Sequence, residues 1–383
     1  MSRTANTLYI VVFAGMLLAL SLWSMRGIVG FSVAKETTVL NGKLAHAFEK
    51  HYDDEFPIKQ IGTNLWALVD FGLFGEGRQG VVIGKDGWLF SDEEFDPVAD
   101  GSRHLQENLA LIQGVRDELA GRGVTLVLAI VPSKSRLYPE YTGEARPTAL
   151  RQDLYAQFRG AARKAGIIAP DLLGTLEQAK HNGQVFLRTD THWTPLGAEA
   201  VANTLGEAVR SAAPLSGDAQ EYVTEAVKNE DYKGDLTRFL PLDPMFENLM
   251  PAPDKLQKRE TRAAVEGEAS GDSLFADSQV PVALVGTSYS ANQNWNFAGA
   301  LRQSLQRDLV NHAEDGHGPI LPMLKYLKSD ELKDAAPQLV IWEFPERYLP
   351  MANDLSEFDP QWIAELRKGG GTPGERLAAT AAN

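Results

Sequence analysis

The sequence contains no cysteine, which excludes disulfide staples and a thiolate nucleophile. A chain of 383 residues can bury a core large enough to fold without staples, so export remains open. An excess of basic charge is also missing. The net charge is -14 and the pI about 5.0, which disfavours nucleic acid and anionic membrane surfaces as partners. An anionic substrate would need a local basic patch. There is no internal repeat, and no long apolar run follows the first. No further His, Asp or Glu cluster completes a closed metal site, so neither a metal nor an organic cofactor is expected. Hydrophobic content of 44% with 23% charged residues places the chain among ordinary globular proteins.

The single long apolar run is Leu8 to Trp23, preceded by Arg3. As helix it spans roughly 24 Å, a little short of a roughly 30 Å bilayer core. Ser24-Met25-Arg26 is a poor signal-peptidase context, which favours an uncleaved signal-anchor over cleavage near Ala34 or a buried soluble helix. Arg26 and Lys35 beyond the run weaken the charge argument for orientation. Everything after it is expected on one side of the membrane. The expected organisation is an anchor over 1–33, a helical and linker segment over 34–79, one domain over 80–367, and a flexible Gly- and Ala-rich tail over 368–383.

Within that domain, strand and helix signals alternate. Val81-Val82-Ile83 and Trp88-Leu89-Phe90 flank a turn and read as two short strands. Leu105, Leu109, Ile112, Val115 and Leu119 recur at helical spacing. Val124 to Val131 is continuously apolar, as a parallel strand buried on both faces should be. A helix over 148–165 and a short strand at Ile167-Ile168-Ala169 follow. Thr194 with Pro195 is a helix start running to about Ala212. Residues 214–275 are polar and aperiodic and read as a long insertion. A strand at Val280–Val285, a helix over 299–312 and a strand at 338–344 complete the series. This alternation predicts an α/β fold with a doubly wound parallel sheet.

Three suspicious segments stand at predicted strand ends, where such sheets bind ligands. Ser288 follows Val285, Pro345-Glu346-Arg347 follows the 338–344 strand, and Lys134 and Arg136 follow Val131. Asp190 and His192 lie in the loop before the Thr194 helix. A serine hydroxyl becomes a useful nucleophile once a base takes its proton. His192 is the candidate base and Asp190 the residue that orients its ring. Asp-x-His also ligates metals, the weaker reading here. Trp193 reads as packing or as a sugar platform. Tyr289, Asn292 and Asn296 read as local structure or sugar contacts. Lys134 and Arg136 are solvated charges or contacts for the carboxylate of an anionic substrate. Glu343 and Arg347 are either a structural pair or part of the site.

Gly286-Thr287-Ser288 resembles the nucleophile block of SGNH-type esterases, Gln338 to Trp342 their following strand, and Asp190-Thr191-His192 their Asp-His block. The nucleophile block here comes after the Asp-His block, so the order is circularly permuted. That order, with Asp-Thr-His-Trp-Thr, Gly-Thr-Ser and Trp-Glu-x-Pro-Glu-Arg-Tyr, resembles the periplasmic alginate O-acetyltransferases over roughly residues 80–365. The AlgJ-like branch is closer than the AlgX-like one, and no C-terminal carbohydrate-binding module is expected. The resemblance implies Ser288 as nucleophile, His192 as base and Asp190 as orienter. It implies acetyl transfer to an exopolysaccharide in the periplasm, with a membrane-bound O-acyltransferase and other subunits as partners. A polysaccharide acetylesterase and a non-catalytic scaffold remain the alternatives. The SGNH oxyanion-hole Asn is replaced by Pro345-Glu346-Arg347, which leaves the backbone N–H of Ser288 or Tyr289, or Arg347, as the expected donors. The only basic groove in view, near Lys134, Arg136 and Arg188, is sparse. This favours weak polymer binding and a relay of acetyl to another subunit.

Overall fold

The structure, a computed structural model, describes residues 3–25, 28, 31, 42–54, 56–264 and 280–368. The cleavage position near Ala34, the tail after Lys368 and residues 265–275 of the expected insertion lie outside them. The chain divides into two compact units, Met1–Arg78 with Arg238–Met250, and Gln79–Thr237 with Pro251–Asn383.

The first unit carries α1 (Arg3–Ser24), α2 (Lys43–Asp54) and α3 (Pro57–Val69). Helix α1 is longer than the apolar run suggests. Its 22 residues reach about 33 Å, enough to span a bilayer core. Its apolar side chains are exposed, Leu8 at 65% and Phe13 at 59%, which rules out a buried core helix and fits a signal-anchor or signal peptide. Pro57 opens α3, where its missing N–H costs nothing. A π-helical turn over Asp70–Phe74 ends at Gly75, whose φ of 65° suits glycine. Asn64 Nδ2 donates to the carbonyls of Pro241 and Asp243 at 2.6 and 3.0 Å and so ties the 238–250 segment to α3.

The second unit opens with a hairpin, β1 (Val81–Ile83) and β2 (Leu89–Ser91). Helix α4 (Gly101–Ala120) leads to β3 (Thr125–Val131). Next come α5 (Leu154–Lys164), α6 (Leu172–Ala179) and α7 (Pro195–Ala212). The antiparallel pair β4 (Tyr222–Tyr232) and β5 (Asp254–Ala263) follows. Strand β6 (Val282–Val285) leads into the short helix α8 (Ser288–Ala291) and then α9 (Phe297–Leu305). The order ends with β7 (Leu309–Asn311), α10 (Ile320–Lys328), β8 (Leu339–Pro345) and α11 (Pro360–Lys368).

The central sheet has four parallel strands in the order β3-β8-β6-β7. Alternate residues of a strand face opposite sides of a sheet. Val127, Ile341 and Leu284 sit in register and join one apolar cluster with α6, α7 and α9. Leu128, Trp342 and Val285 join the other with α4, α5, α10 and α11. Both faces are therefore covered, which is why the strands read as continuous apolar runs. The doubly wound parallel sheet is present.

Three readings of the sequence change. Ile167 to Ala169 is one parallel bridge, Val127 to Ile168, beside β3 rather than a strand. The 299–312 segment is helix only to Leu305. Gln306, at φ 52°, then turns the chain into β7. The stretch from 222 to 263, read as aperiodic, contains the paired strands β4 and β5. Their burial alternates, but polar residues such as Thr224, Glu230, Asp254 and Thr261 fill much of the covered face, so no apolar alternation marks them in the sequence.

Candidate active site

Ser288 begins where β6 ends. The turn before it is built on a close approach: a Cβ on Gly286 would lie 2.5 Å from Glu343 Oε2, on the neighbouring strand β8. Only glycine fits there. The fully buried Glu343 carboxylate accepts from Thr287 N–H at 2.7 Å, from the Thr287 hydroxyl at 3.0 Å and from the Ser290 hydroxyl at 3.1 Å. Burial raises its pKa against these hydrogen bonds. Glu343 therefore fixes the turn that presents Ser288.

His192 Nε2 lies 2.7 Å from Ser288 Oγ, and Nδ1 lies 2.6 Å from Asp190 Oδ1. With Nδ1–H donating to the carboxylate, Nε2 is left to accept the serine proton. The imidazole stacks on Trp295 at 5.1 Å and 22° and packs against the Tyr289 ring at 4.7 Å. Trp295 Nε1–H donates to the Ser288 carbonyl at 3.3 Å. The Thr194 side chain caps α7 by accepting from Gly197 N–H, with Pro195 at the first position, and so sets where the loop bearing His192 ends.

Asp190 is fully buried and all its lone-pair directions are used. Oδ1 also accepts from His192 N–H at 2.9 Å, and Oδ2 accepts from Asp235 N–H at 2.8 Å and from the Tyr232 hydroxyl at 3.1 Å. Burial works to raise its pKa, but the hydrogen bond and charge of His192, with the backbone bonds, outweigh it and hold the carboxyl down at about 2. Asp235 moves the other way, raised by burial and by the charge of Asp190. It accepts from Thr191 N–H at 2.8 Å, while Asp254 accepts from Arg188 N–H and Thr189 N–H at 2.7 and 2.8 Å. These two carboxylates clamp the Arg188–Thr191 segment. Asp190, His192 and Asp235 bring ligand-type atoms within 4.8 Å of one another. His192 Nδ1 and both Asp190 oxygens already face hydrogen-bond partners, so the cluster is a proton-ordering network rather than an open ligand set.

The other residues suspected from the sequence sit differently. Lys134 is buried, and its Nζ donates to the carbonyls of Leu89, Arg188 and Asp190, the last two at 2.9 Å. These three bonds use all of its N–H donors and make it a structural cation under the Asp190 loop. Burial lowers its pKa to about 8 despite nearby carboxylates. Arg136 is held by Glu346, at 3.1 Å through Nε, and by the carbonyls of Arg151 and Gln152 at 2.7 Å. Arg188 is turned to the carbonyls of Asp86 and Ala252. The sparse basic groove thus dissolves into internal contacts.

Arg347 does not pair with Glu343. Its nitrogens reach Glu93 at 2.9 Å, the Tyr289 hydroxyl at 3.3 Å and the Tyr348 hydroxyl at 3.4 Å. This engagement turns it away from the role of oxyanion donor. Tyr289 is buried and donates to Thr191 O at 2.7 Å, so it braces the loop bearing His192. Trp193 is fully buried and packs on Tyr289 and Phe297. Asn292 accepts from Asn294 N–H at 2.9 Å and borders a polar groove of about 600 Å³ with Asn294, Asn296 and Asn311. The Ser288 N–H has no protein acceptor among the described residues. Tyr232, Asp235, Asp254 and Trp295 were not singled out as site residues in the sequence, because nothing in their spacing relates them to Asp190 or Ser288.

Two expectations follow. Lys134→Met should cost at least about 2 kcal/mol, since it leaves the Leu89 and Asp190 carbonyls without a donor while the Arg188 carbonyl keeps Leu89 N–H. Urea midpoints check it. Glu343→Gln should fold and keep the turn, whereas Glu343→Ala strands Thr287 N–H at about 1–3 kcal/mol. A raised folded pKa means the wild type loses stability as pH rises from the unfolded value through the folded one. Glu343→Gln removes that loss, so its midpoint relative to wild type should improve as pH rises above the ordinary glutamate range.

A covered parallel sheet with a Ser-His-Asp line at its carboxyl edge defines an SGNH hydrolase-like enzyme. The family model described as SGNH hydrolase-like domain, acetyltransferase AlgX, matches residues 81–346. The chain belongs to this family of acetyltransferases. It is 63% identical over 368 residues to the probable alginate O-acetylase AlgJ of Pseudomonas syringae pv. tomato, covering 96% of this chain and 94% of that one. It is 61% identical to the protein of the same description from Azotobacter vinelandii, over 100% of this chain and 99% of that one. The solved O-acetyltransferase domain of Pseudomonas putida AlgJ superposes with a TM-score of 0.71 at 62% identity, over 76% of this chain and 99% of that domain.

Proposed function

We propose that this chain is an alginate O-acetyltransferase that carries the acetyl group on Ser288 and passes it to mannuronate hydroxyls, with onward relay to a partner subunit as the second reading. The observation that supports this most is the unbroken hydrogen-bond line from Ser288 Oγ through His192 to Asp190. In the first half-reaction His192 Nε2 takes the serine proton as Oγ attacks the donor's acetyl carbonyl. The donor's leaving group takes that proton back as its bond to the acetyl carbon breaks. The backbone N–H of Ser288 is the leading oxyanion donor. In the second half-reaction a sugar hydroxyl loses its proton to the same His192 and attacks the acetyl-serine, and His192 returns the proton to Ser288 Oγ as its bond to the acetyl carbon breaks. The asparagine-lined groove beside α8 offers donors and acceptors suited to a hydroxyl-rich acceptor.

An uncleaved α1 would tether the chain to the inner membrane with the residues beyond it in the periplasm. There a membrane-bound O-acyltransferase would supply acetyl from the cytoplasmic side. The domain reading keeps residues 80–367 as the catalytic domain, with 34–79 joining it to the anchor. Incubation with an activated acetyl ester followed by mass spectrometry tests the intermediate. One acetyl group on the peptide bearing Ser288 is expected. Rapid ester hydrolysis with no transfer to mannuronate oligomers would instead make the chain an acetylesterase. An unmodified Ser288 would leave the scaffold reading.

A further inference from the structure

A cavity of about 400 Å³ lies past the carboxyl end of β3, lined among others by Glu94, Ser133, Arg136, Arg146, Arg151 and Glu346. Arg151 is the anomaly in it. The residue is only 3% exposed, and two of its nitrogens donate to the carbonyls of Asp96 and Arg347 at 3.3 and 3.2 Å. Its Nη2 is buried and has no acceptor among the described residues. No carboxylate among them forms an ion pair with this guanidinium, and Glu94, Glu346, Glu93 and Asp96 act on it only from a distance.

An arginine cannot escape such a position by losing its proton. A buried, unpaired charged donor is costly, and an incoming anion removes the cost. The cavity's own carboxylates are already committed. Glu346 accepts from Arg136 and from Ser133 N–H, and Glu94 accepts from Ser135 N–H at 2.7 Å. Arg146 is exposed and adds a second guanidinium to the lining, with Nη1 held by the carbonyls of Gly143 and Ala145 at 2.9 and 2.7 Å and its other nitrogens left to a ligand. Arg151 also borders another cavity, but Asp92, Glu93 and Asp96 line that one and repel an anion.

The position is suggestive. In the order β3-β8-β6, the end of β3 stands two strand spacings, roughly 10 Å, from the end of β6 that carries Ser288. We propose that this cavity binds a carboxylate, that of a uronate residue in the acceptor chain, with Arg151 and Arg146 as its donors. The proposal rests on the reading of the chain as a polymer acetyltransferase. It supplies the anion contact that Lys134, Arg136 and Arg188 do not. A planar guanidinium matches a carboxylate's two oxygens.

Isothermal titration of the detergent-solubilised full chain tests it, in a Ser288→Ala background that stops turnover. The titrants are mannuronate oligomers, neutral mannose oligomers of equal length, and sodium acetate. Acidic oligomers should bind at least tenfold tighter than neutral ones. Arg151→Gln and the surface variant Arg146→Gln should each weaken that binding about 10–100-fold. Equal affinity for acidic and neutral oligomers overturns the proposal, as does unchanged binding in both variants. Arginine-dependent binding of acetate without binding of oligomers overturns the polymer version and gives the cavity to a free small carboxylate. Acetylation of Ser288 by the activated ester is scored separately on the unmutated chain, so failure there strikes the acetyl-serine reading and not the cavity.

Discussion

Ser288→Ala should leave acetyl turnover on the order of 10⁶-fold below wild type, with the urea midpoint almost unchanged. The first half of this expectation comes from the geometry. Ser288 Oγ is the atom His192 Nε2 faces at 2.7 Å. The second half comes from how little else the hydroxyl does. Ser288 is partly exposed, and its carbonyl, not its side chain, takes the bond from Trp295. The turn is held by Thr287, Ser290 and Glu343 instead. Groups that act as a unit give non-additive losses. A triple variant at Ser288, His192 and Asp190 should therefore be little slower than Ser288→Ala alone. Initial rates on an activated acetyl ester measure all of this. A Ser288→Ala rate within tenfold of wild type would end the nucleophile assignment.

The parts of this fold that depend on local pattern could be read from the sequence, and those that depend on long-range pairing could not. Val124 to Val131 announced a strand buried on both faces because both faces are buried. Thr194 and Pro195 announced a helix start because capping is settled within four residues. Asp190, His192 and Ser288 stood out through their chemistry and their places at loop and strand ends. The surroundings of Asp190 did not. Tyr232, Asp235 and Asp254 lie more than 40 positions away in a stretch with no apolar period. Charge was the most misleading signal. Lys134 and Arg136 looked available because they follow a strand end, yet both are consumed by backbone carbonyls and Glu346. Arg151, which does keep a free donor, sits in an unremarkable helical turn.

Asp190→Asn should lower turnover roughly 10⁴-fold, the loss expected when the base is held in the wrong tautomer. The carboxylate receives four donors: two from His192, one from Asp235 N–H and one from the Tyr232 hydroxyl. An amide has one oxygen. Turned toward His192, it sets its NH₂ against Asp235 N–H and pushes the Tyr232 hydroxyl to accept instead of donate. Turned the other way, it sets NH₂ against His192 N–H and makes Nδ1 the acceptor. The ring proton then moves to Nε2, which can no longer receive the proton of Ser288. Stability should report the same charge. The folded pKa of Asp190, about 2, is below the ordinary aspartate value near 3.9. Its contribution is therefore present above about pH 4 and is lost as pH falls toward 2. The asparagine variant lacks that contribution, so its deficit in urea midpoint should be full at pH 6 and shrink between pH 4 and 2. Asp235 should also titrate lower in the variant, because the neighbouring charge that helps raise its pKa is gone. A variant that keeps more than a tenth of wild-type turnover, or a deficit that does not vary with pH, would mean that Asp190 neither orients His192 nor carries the buried charge assigned to it.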